Sequence, residues 1–315
     1  MTNSITSSLG HSLTSIGLAI ANLLILLLLA PLYEGFVRKY IKAQVAHSRI
    51  GPPVWQPFLD IFKLMAKEDL MPTRDVVFRL SPMLCLGAAL VGGMLIPIGT
   101  RAPLDGSGDF IVFVYLMGLS TVALVLGAMA SSSPFAYAGA TREVMMFLIV
   151  EIVAVVALIT GAVNSHSLRF SGIIAWYTSH PLSLSMILAA LALLLALQAQ
   201  FGKLPFDIPE AETEIMGGPL IEMSGPRLAL LYWATWVKRL IYACLFASVF
   251  LPWGRTGIWP LDAVITLALA FVVYIVVAVI EVLNPRLRID QALSYYLVTL
   301  IGLGLASMVL AYLSV

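Results

Sequence analysis

Residues 201–227 read FGKLPFDIPEAETEIMGGPLIEMSGPR, a polar island with an unbroken apolar run on either side. Five of the chain's seventeen carboxylates sit in it, Asp207, Glu210, Glu212, Glu214 and Glu222, and only Lys203 and Arg227 oppose them, at its edges. If the PEAETEI portion is helical, Asp207, Glu210 and Glu214 fall at i, i+3 and i+7 on one face, where like charges repel. The usual relief is that some of these acids hold a proton at neutral pH or pass protons among themselves. The other reading of the same spacing is a solvated acidic loop between two membrane helices. The spacing leaves both open.

The apolar runs that flank the island extend through the whole chain. Of its 315 residues, 60% are hydrophobic and 11% charged, with a mean hydropathy of +0.98. A soluble globular domain carries roughly a quarter of its residues as charges, so this is an all-α polytopic membrane protein. Runs long enough to cross a bilayer fall at roughly 16–33, 80–98, 110–130, 144–163, 182–197, 228–251, 263–282 and 292–314, giving eight spans in a single membrane domain. The first has no positive stretch before it and reads as an uncleaved span. Thirteen of the eighteen basic residues lie in the connections after spans one, three, five and seven, and only Arg101, Arg169 and Arg255 lie in the others. By the positive-inside rule the odd connections, the island among them, are cytoplasmic and both termini face out.

The first connection is the longest. Between Trp55 and Leu70 the apolar Phe58, Ile61, Phe62 and Met65 recur at helical spacing, with Asp60, Lys63 and Lys67 on another face, which predicts an amphipathic helix in the headgroup layer within residues 51–72. Gly51-Pro52-Pro53 and Pro72 punctuate its ends. A plain interfacial anchor has the same periodicity. The two cysteines, Cys85 and Cys244, lie inside apolar runs, too few and too far apart for a zinc or iron–sulfur site. They read as small buried hydrophobes. No phosphate loop, nucleotide fingerprint, catalytic nucleophile or nucleic-acid patch is present in the sequence, so neither an enzyme on its own nor a nucleic-acid partner is expected. An internal repeat of the kind that marks many secondary transporters is also missing, which weighs against an independent ion or solute carrier.

Ionisable residues at membrane depth are functional by default, because they are expensive to keep there. Span four opens with Arg142 and Glu143, and Glu151 follows ~12 Å deeper at 1.5 Å per residue. Lys238 and Arg239 lie ~15 Å into span six, and Glu281 stands near the cytoplasmic end of span seven. Acids therefore run from the island through Glu143 and Glu281 to Glu151, with Lys238 as its candidate partner. The expectation is a half-channel for protons; the alternative is a set of structural ion pairs between helices.

Four stretches in this order resemble a known family. They are Arg49-Ile50-Gly51-Pro52 running on through Gln56-Pro57, Asp60, Lys63-Leu64 and Lys67-Glu68; Gly139-Ala140-Thr141-Arg142 with Glu151; Pro205-Phe206-Asp207-Ile208-Pro209-Glu210-Ala211-Glu212 with Ser224-Gly225; and Pro285-Arg286-Leu287-Arg288-Ile289-Asp290-Gln291. They resemble the eight-span membrane subunit shared by respiratory complex I, where it is subunit 1, and the energy-converting [NiFe] hydrogenases, including formate hydrogenlyase. The resemblance implies a proton path through Glu151, Asp207, Glu210, Glu212, Glu214 and Glu222. It also implies that Arg49, Asp60, Lys63, Lys67, Glu68, Arg286, Arg288 and Asp290 face partner subunits. Those partners would be the peripheral large and small hydrogenase subunits, holding the NiFe centre and iron–sulfur clusters, with antiporter-like subunits alongside in the lipid bilayer of a prokaryotic inner membrane. This chain would hold no cofactor itself. Two departures from the complex I form point to the hydrogenase branch and away from a quinone site. Only Pro53, Val54 and Trp55 separate Gly51-Pro52 from Gln56, and span six carries Lys238 where complex I relatives usually show an acid.

Overall fold

The computed structural model describes residues 2–43, 51–105, 109–180, 183–252 and 254–313, with side chains from residue 15 onward. Arg49 lies outside the described residues. All regular structure among them is helical, as the apolar runs require, since in lipid a helix satisfies every backbone group within its own segment.

The long helices are α1 (Thr2–Phe36), continued by a π-helical turn (Val37–Lys42), then α3 (Val76–Gly93), α4 (Phe110–Met129) and α5 (Pro134–Ser165). After the shorter α7 (Leu184–Gln200) come α9 (Gly225–Phe250), α10 (Trp259–Leu283), and α11 (Ile289–Thr299), which passes through a second π-helical turn (Leu300–Leu305) into α12 (Ala306–Tyr312). Seven of these segments are long and apolar enough to cross a membrane, and α7 at 17 residues sits at the lower bound of such a helix. Each predicted span has its helix. Side chains set several of the starts: Asp75 accepts from the Val77 amide at the head of α3, and Ser183 accepts from Met186 at the head of α7.

Three features depart from the sequence reading. The first span does not stop at residue 33; it continues as helix to Lys42 and carries Glu34 and Arg38 with it. A further helix, α6 (Phe170–Ser179), lies in what reads as an outer turn, burying Phe170, Ile173, Ile174 and Tyr177 at i, i+3, i+4 and i+7. The amphipathic helix α2 is shorter than expected (Gln56–Met65): it turns Pro57 and Ile61 inward and leaves Leu59 and Phe62 exposed, as a helix lying in the headgroup layer should.

At the centre stands α9, 67% buried over its most apolar stretch, against 22% for α1 and for the α11–α12 segment. Pro31 shows how α1 locks onto it. Proline has no N–H, so the Leu27 carbonyl four residues back is left without its helical donor, and Trp233 Nε1 of α9 donates to it at 3.1 Å. The island folds back over α5 by a close backbone approach. A Cβ on Gly139 would lie 2.6 Å from Gly218 Cα, and Gly218 itself adopts φ +54. The Gly139 of the Gly-Ala-Thr-Arg stretch is therefore where the island touches the membrane bundle.

Candidate functional site

The island is not one helix. Only α8 (Glu212–Ile215) is helical, and residues 201–211 run irregularly into it. Pro205 and Pro209 remove two donors from that stretch and disfavour the helical conformation of the residues before them. The single acidic face therefore does not form. Asp207 turns to Arg286 (2.9 Å), Glu214 pairs with Arg142 at the surface, Glu212 is exposed, and Glu210 turns inward.

Glu210 faces a cavity of about 70 Å³, room for a few water molecules. Asp207, Glu210 and Gly202 of the island line it with Glu143 of α5, Thr121 of α4, Gln200 at the end of α7, and Lys238 and Arg239 of α9. Glu151, two turns below Glu143 on α5, joins this wall through Gln200, whose Nε2 donates to Glu151 Oε2 at 2.7 Å. The expected ion pair between Lys238 and Glu151 is not formed. Lys238 faces the cavity as predicted, but its Nζ donates to Thr121 Oγ1 at 2.8 Å. Among the described residues no cation lies within 4.0 Å of the carboxylates of Glu143, Glu151 or Glu210. The cavity thus gathers three loosely held acids and one loosely held ammonium.

The loop acids have different proton affinities. Burial pushes the Glu210 carboxyl up to about 7, with Asp207 and Glu143 adding to the rise and the Arg239 guanidinium opposing it. Burial also raises Asp207, in spite of its hydrogen bond from Arg286. Glu214 goes the other way, held below the usual range by the hydrogen bond from Arg142.

Behind the cavity lies a second set of charges, which sequence reasoning missed. Glu34 of α1 is buried and accepts from Lys203 Nζ at 2.9 and 3.1 Å, from Arg239 Nη1 at 3.0 Å and from Tyr274 OH at 2.8 Å; Arg38 Nε stands 3.5 Å away. Lys203 Nζ also lies 3.6 Å from Glu281 Oε2, and Glu281 Oε1 is paired with Lys42 at 2.8 Å. Arg239 connects this cluster to the cavity, for its Nε donates to the Phe201 carbonyl at 2.6 Å and both residues line the cavity wall. Glu281 belongs to this cluster and does not line the cavity. Burial pushes the Lys203 ammonium down to about 8, although Glu34 beside it works in the opposite direction. The signal for the cluster was present in the sequence. Glu34 and Arg38 stand at i and i+4, a pair that only makes sense if the helix continues beyond its apolar run.

The residues expected at partner interfaces are more varied than their grouping implies. Asp60 is engaged within the chain, by Arg38 at 3.2 Å and Gln56 at 2.9 Å. Lys63, Lys67 and Glu68 are exposed beside α2, and the segment after them is tied to α9, where Ser224 bonds the Leu70 amide and carbonyl at 3.0 and 2.8 Å. Arg286, Arg288 and Asp290 line a surface cavity of about 270 Å³ together with Arg142 and Glu214. Glu222 is half-buried at the end of the island.

Comparison with known proteins agrees with this arrangement over nearly the full length. The family described as NADH dehydrogenase matches residues 16–312. Hydrogenase-4 component C of Escherichia coli (strain K12) is 35% identical over 92% of this chain and 93% of its own. Formate hydrogenlyase subunit 4 of the same organism is 34% identical over 85% of this chain and 89% of its own. Among solved structures, a chain from the membrane-bound sulfane sulfur reductase, an archaeal respiratory membrane complex, superposes with a TM-score of 0.85 at 26% identity, covering 95% of this chain and 99% of that one. The chain is a multi-pass membrane subunit that belongs to the NADH dehydrogenase family, with hydrogenase-4 component C and formate hydrogenlyase subunit 4 as relatives.

Proposed function

We propose that this chain is the membrane anchor and proton-pathway subunit of an energy-converting [NiFe] hydrogenase complex. The peripheral large and small subunits, with the NiFe centre and iron–sulfur clusters, dock on the face that carries α2 and the island, and antiporter-like subunits lie alongside in the membrane. That face is cytoplasmic and both termini are outside, by the distribution of Lys and Arg. The observation that carries the reading is the shared cavity. Glu210 stands at its island side with a proton affinity near neutrality, Glu143 follows, and Gln200 bridges from the cavity wall to Glu151. A proton taken from the cytoplasm by Glu210 could pass over waters to Glu143 and on to Glu151, with Lys238 responding to the charge beside it. The outer half of the bundle has no matching run of acids, so the path leaves sideways toward the neighbouring membrane subunits.

The test uses the whole complex in sealed vesicles. Glu151→Gln should abolish most proton uptake while the hydrogenase centre still turns over artificial electron carriers, and full uptake in that variant would remove Glu151 from the path. The family's description favours a second reading, a quinone-site subunit. Quinone-dependent turnover by the purified complex would select it.

A further inference from the structure

On the other side of Phe206 from the proton cavity lies a separate pocket of about 240 Å³. Leu195 and Gln198 of α7, Pro205 and Phe206 of the island, Ile280 at the end of α10 and Tyr295 of α11 form its wall. The Leu287 amide donates to the Pro205 carbonyl at 3.0 Å and fixes its floor. All but one of these wall residues are apolar or aromatic. The exception is Gln198, only 3% exposed.

The Gln198 amide is half satisfied. Its Nε2 donates to the carbonyls of Leu204 at 3.0 Å and Val277 at 3.2 Å, and since both neighbours are acceptors the amide cannot be turned the other way. Its Oε1 is buried and has no partner. A buried acceptor in an apolar wall calls for a donor, so a ligand of this pocket should offer an O–H.

The surroundings narrow the ligand further. Through Leu287 the pocket adjoins the basic surface cavity, where Arg142 is tied to Glu214 and Arg286 to Asp207, while Arg288 is exposed and forms no ion pair among the described residues, with Asp290 close by. Through Tyr295 it continues into an open groove of about 520 Å³ along α11, lined by Asp290, Gln291, Ser294 and Val298. Below that groove Leu297, Val298 and Ile301 present an exposed apolar strip. Donor, anion and apolar tail are the three parts of one molecule.

We propose that this pocket binds an anionic phospholipid whose headgroup carries a free hydroxyl, as that of phosphatidylglycerol does, from the leaflet on the island's side. The hydroxyl donates to Gln198 Oε1, the phosphate meets Arg288, and the acyl chains lie along α11. Basic pockets between helix ends are where anionic headgroups are held on membrane proteins. The bound lipid packs on the face of Phe206 opposite the proton cavity, so it also supports the stretch that carries Asp207.

The test is lipid retention by the full chain, followed by native mass spectrometry after exchange into mixed bilayer discs. Phosphatidylmethanol has the same phosphate and chains and lacks the headgroup hydroxyl. Phosphatidylglycerol should be retained over it by about fivefold to tenfold, the scale of one net hydrogen bond. Gln198→Leu should erase that preference. Because this variant also loses the bonds to Leu204 and Val277, Ile280→Trp is the companion, filling the pocket with those bonds intact, and it should release both lipids. Equal retention of the two lipids, full retention in Ile280→Trp, or a density map with only a water on Gln198 Oε1 would overturn the assignment.

Discussion

The cavity and the Glu34 cluster contain the same kinds of residue, and they are joined at Arg239, yet they are built on opposite principles. In the cluster every charge is met: Glu34 alone accepts from Lys203, Arg239 and Tyr274, and Glu281 answers Lys42. In the cavity the acids Glu143, Glu151 and Glu210 have neutral neighbours or none at ion-pair distance, and Lys238 rests on a threonine hydroxyl. A buried ion pair with all its hydrogen bonds made resists any change in protonation, since removing one charge strands the others. A carboxylate beside an amide and a few waters can take up and give back a proton at small cost. The difference separates the part that holds α1, α9 and α10 together from the part that can move protons.

The strongest way to break that comparison is to strike the cluster. Glu34→Gln leaves Lys203 and Arg239 buried without their shared counter-ion, and a loss of ~3–5 kcal/mol is expected. In detergent, the variant complex should denature at lower temperature or fail to assemble, whatever its proton chemistry. Glu151→Gln is expected to do the reverse: assembly and thermal stability stay near those of the parent, because Gln200 can bond an amide as well as a carboxylate, while coupled proton uptake is largely lost. If Glu34→Gln assembles normally and uncouples, or if Glu151→Gln destabilises, the two regions have been given the wrong roles.

The fold was legible because hydropathy and length are sufficient for a helix in lipid; all eight apolar runs became helices within a few residues. What escaped was anything decided by contact between runs. Glu34 sits one residue past an apolar stretch and looks like the start of a loop, and only the packing of α1 against α9 and α10 shows that it is buried. The partners of Lys238 could not be read either, because a threonine hydroxyl on α4 carries no hydropathy signal. In the island the residues were correctly singled out and their arrangement was not: the proposed common face needed a helix that Pro205 and Pro209 prevent. The helix α6 could have been found, since Phe170, Ile173, Ile174 and Tyr177 show the helical period in ten residues.

The dispersal of the island acids changes what their substitution should do. Asp207 and Glu210 line one cavity, so their carboxylates are coupled, and the pair changed together to Asn and Gln should cost ~0.5–3 kcal/mol more or less than the sum of the singles. Glu210 should also be visible directly. Its pKa of about 7 against a model value of 4.5 means that the folded chain binds more protons between these values than the unfolded one, so this group's contribution to stability falls as pH rises through that window. In infrared difference spectra a carboxyl band titrating near pH 7 should vanish in Glu210→Gln. A band that persists there belongs to another acid.

The smallest effects are expected at the far end of the same stretch. Glu212 is exposed, and Glu214 is exposed with its carboxylate held ionised by Arg142, so neither has reason to carry a proton at neutral pH. Surface ion pairs contribute little and are screened by salt. Glu212→Gln and Glu214→Gln should therefore leave proton uptake unchanged, separately and together, and should add without coupling to Asp207 or Glu210. Their effect, where one is seen, should appear in the association of the peripheral subunits, and should weaken as salt is raised, because Glu214, Arg142, Arg286 and Arg288 surround one surface cavity on the docking face. Salt-independent loss of proton uptake in Glu214→Gln would move the mouth of the pathway outward, from Glu210 to the surface of α8.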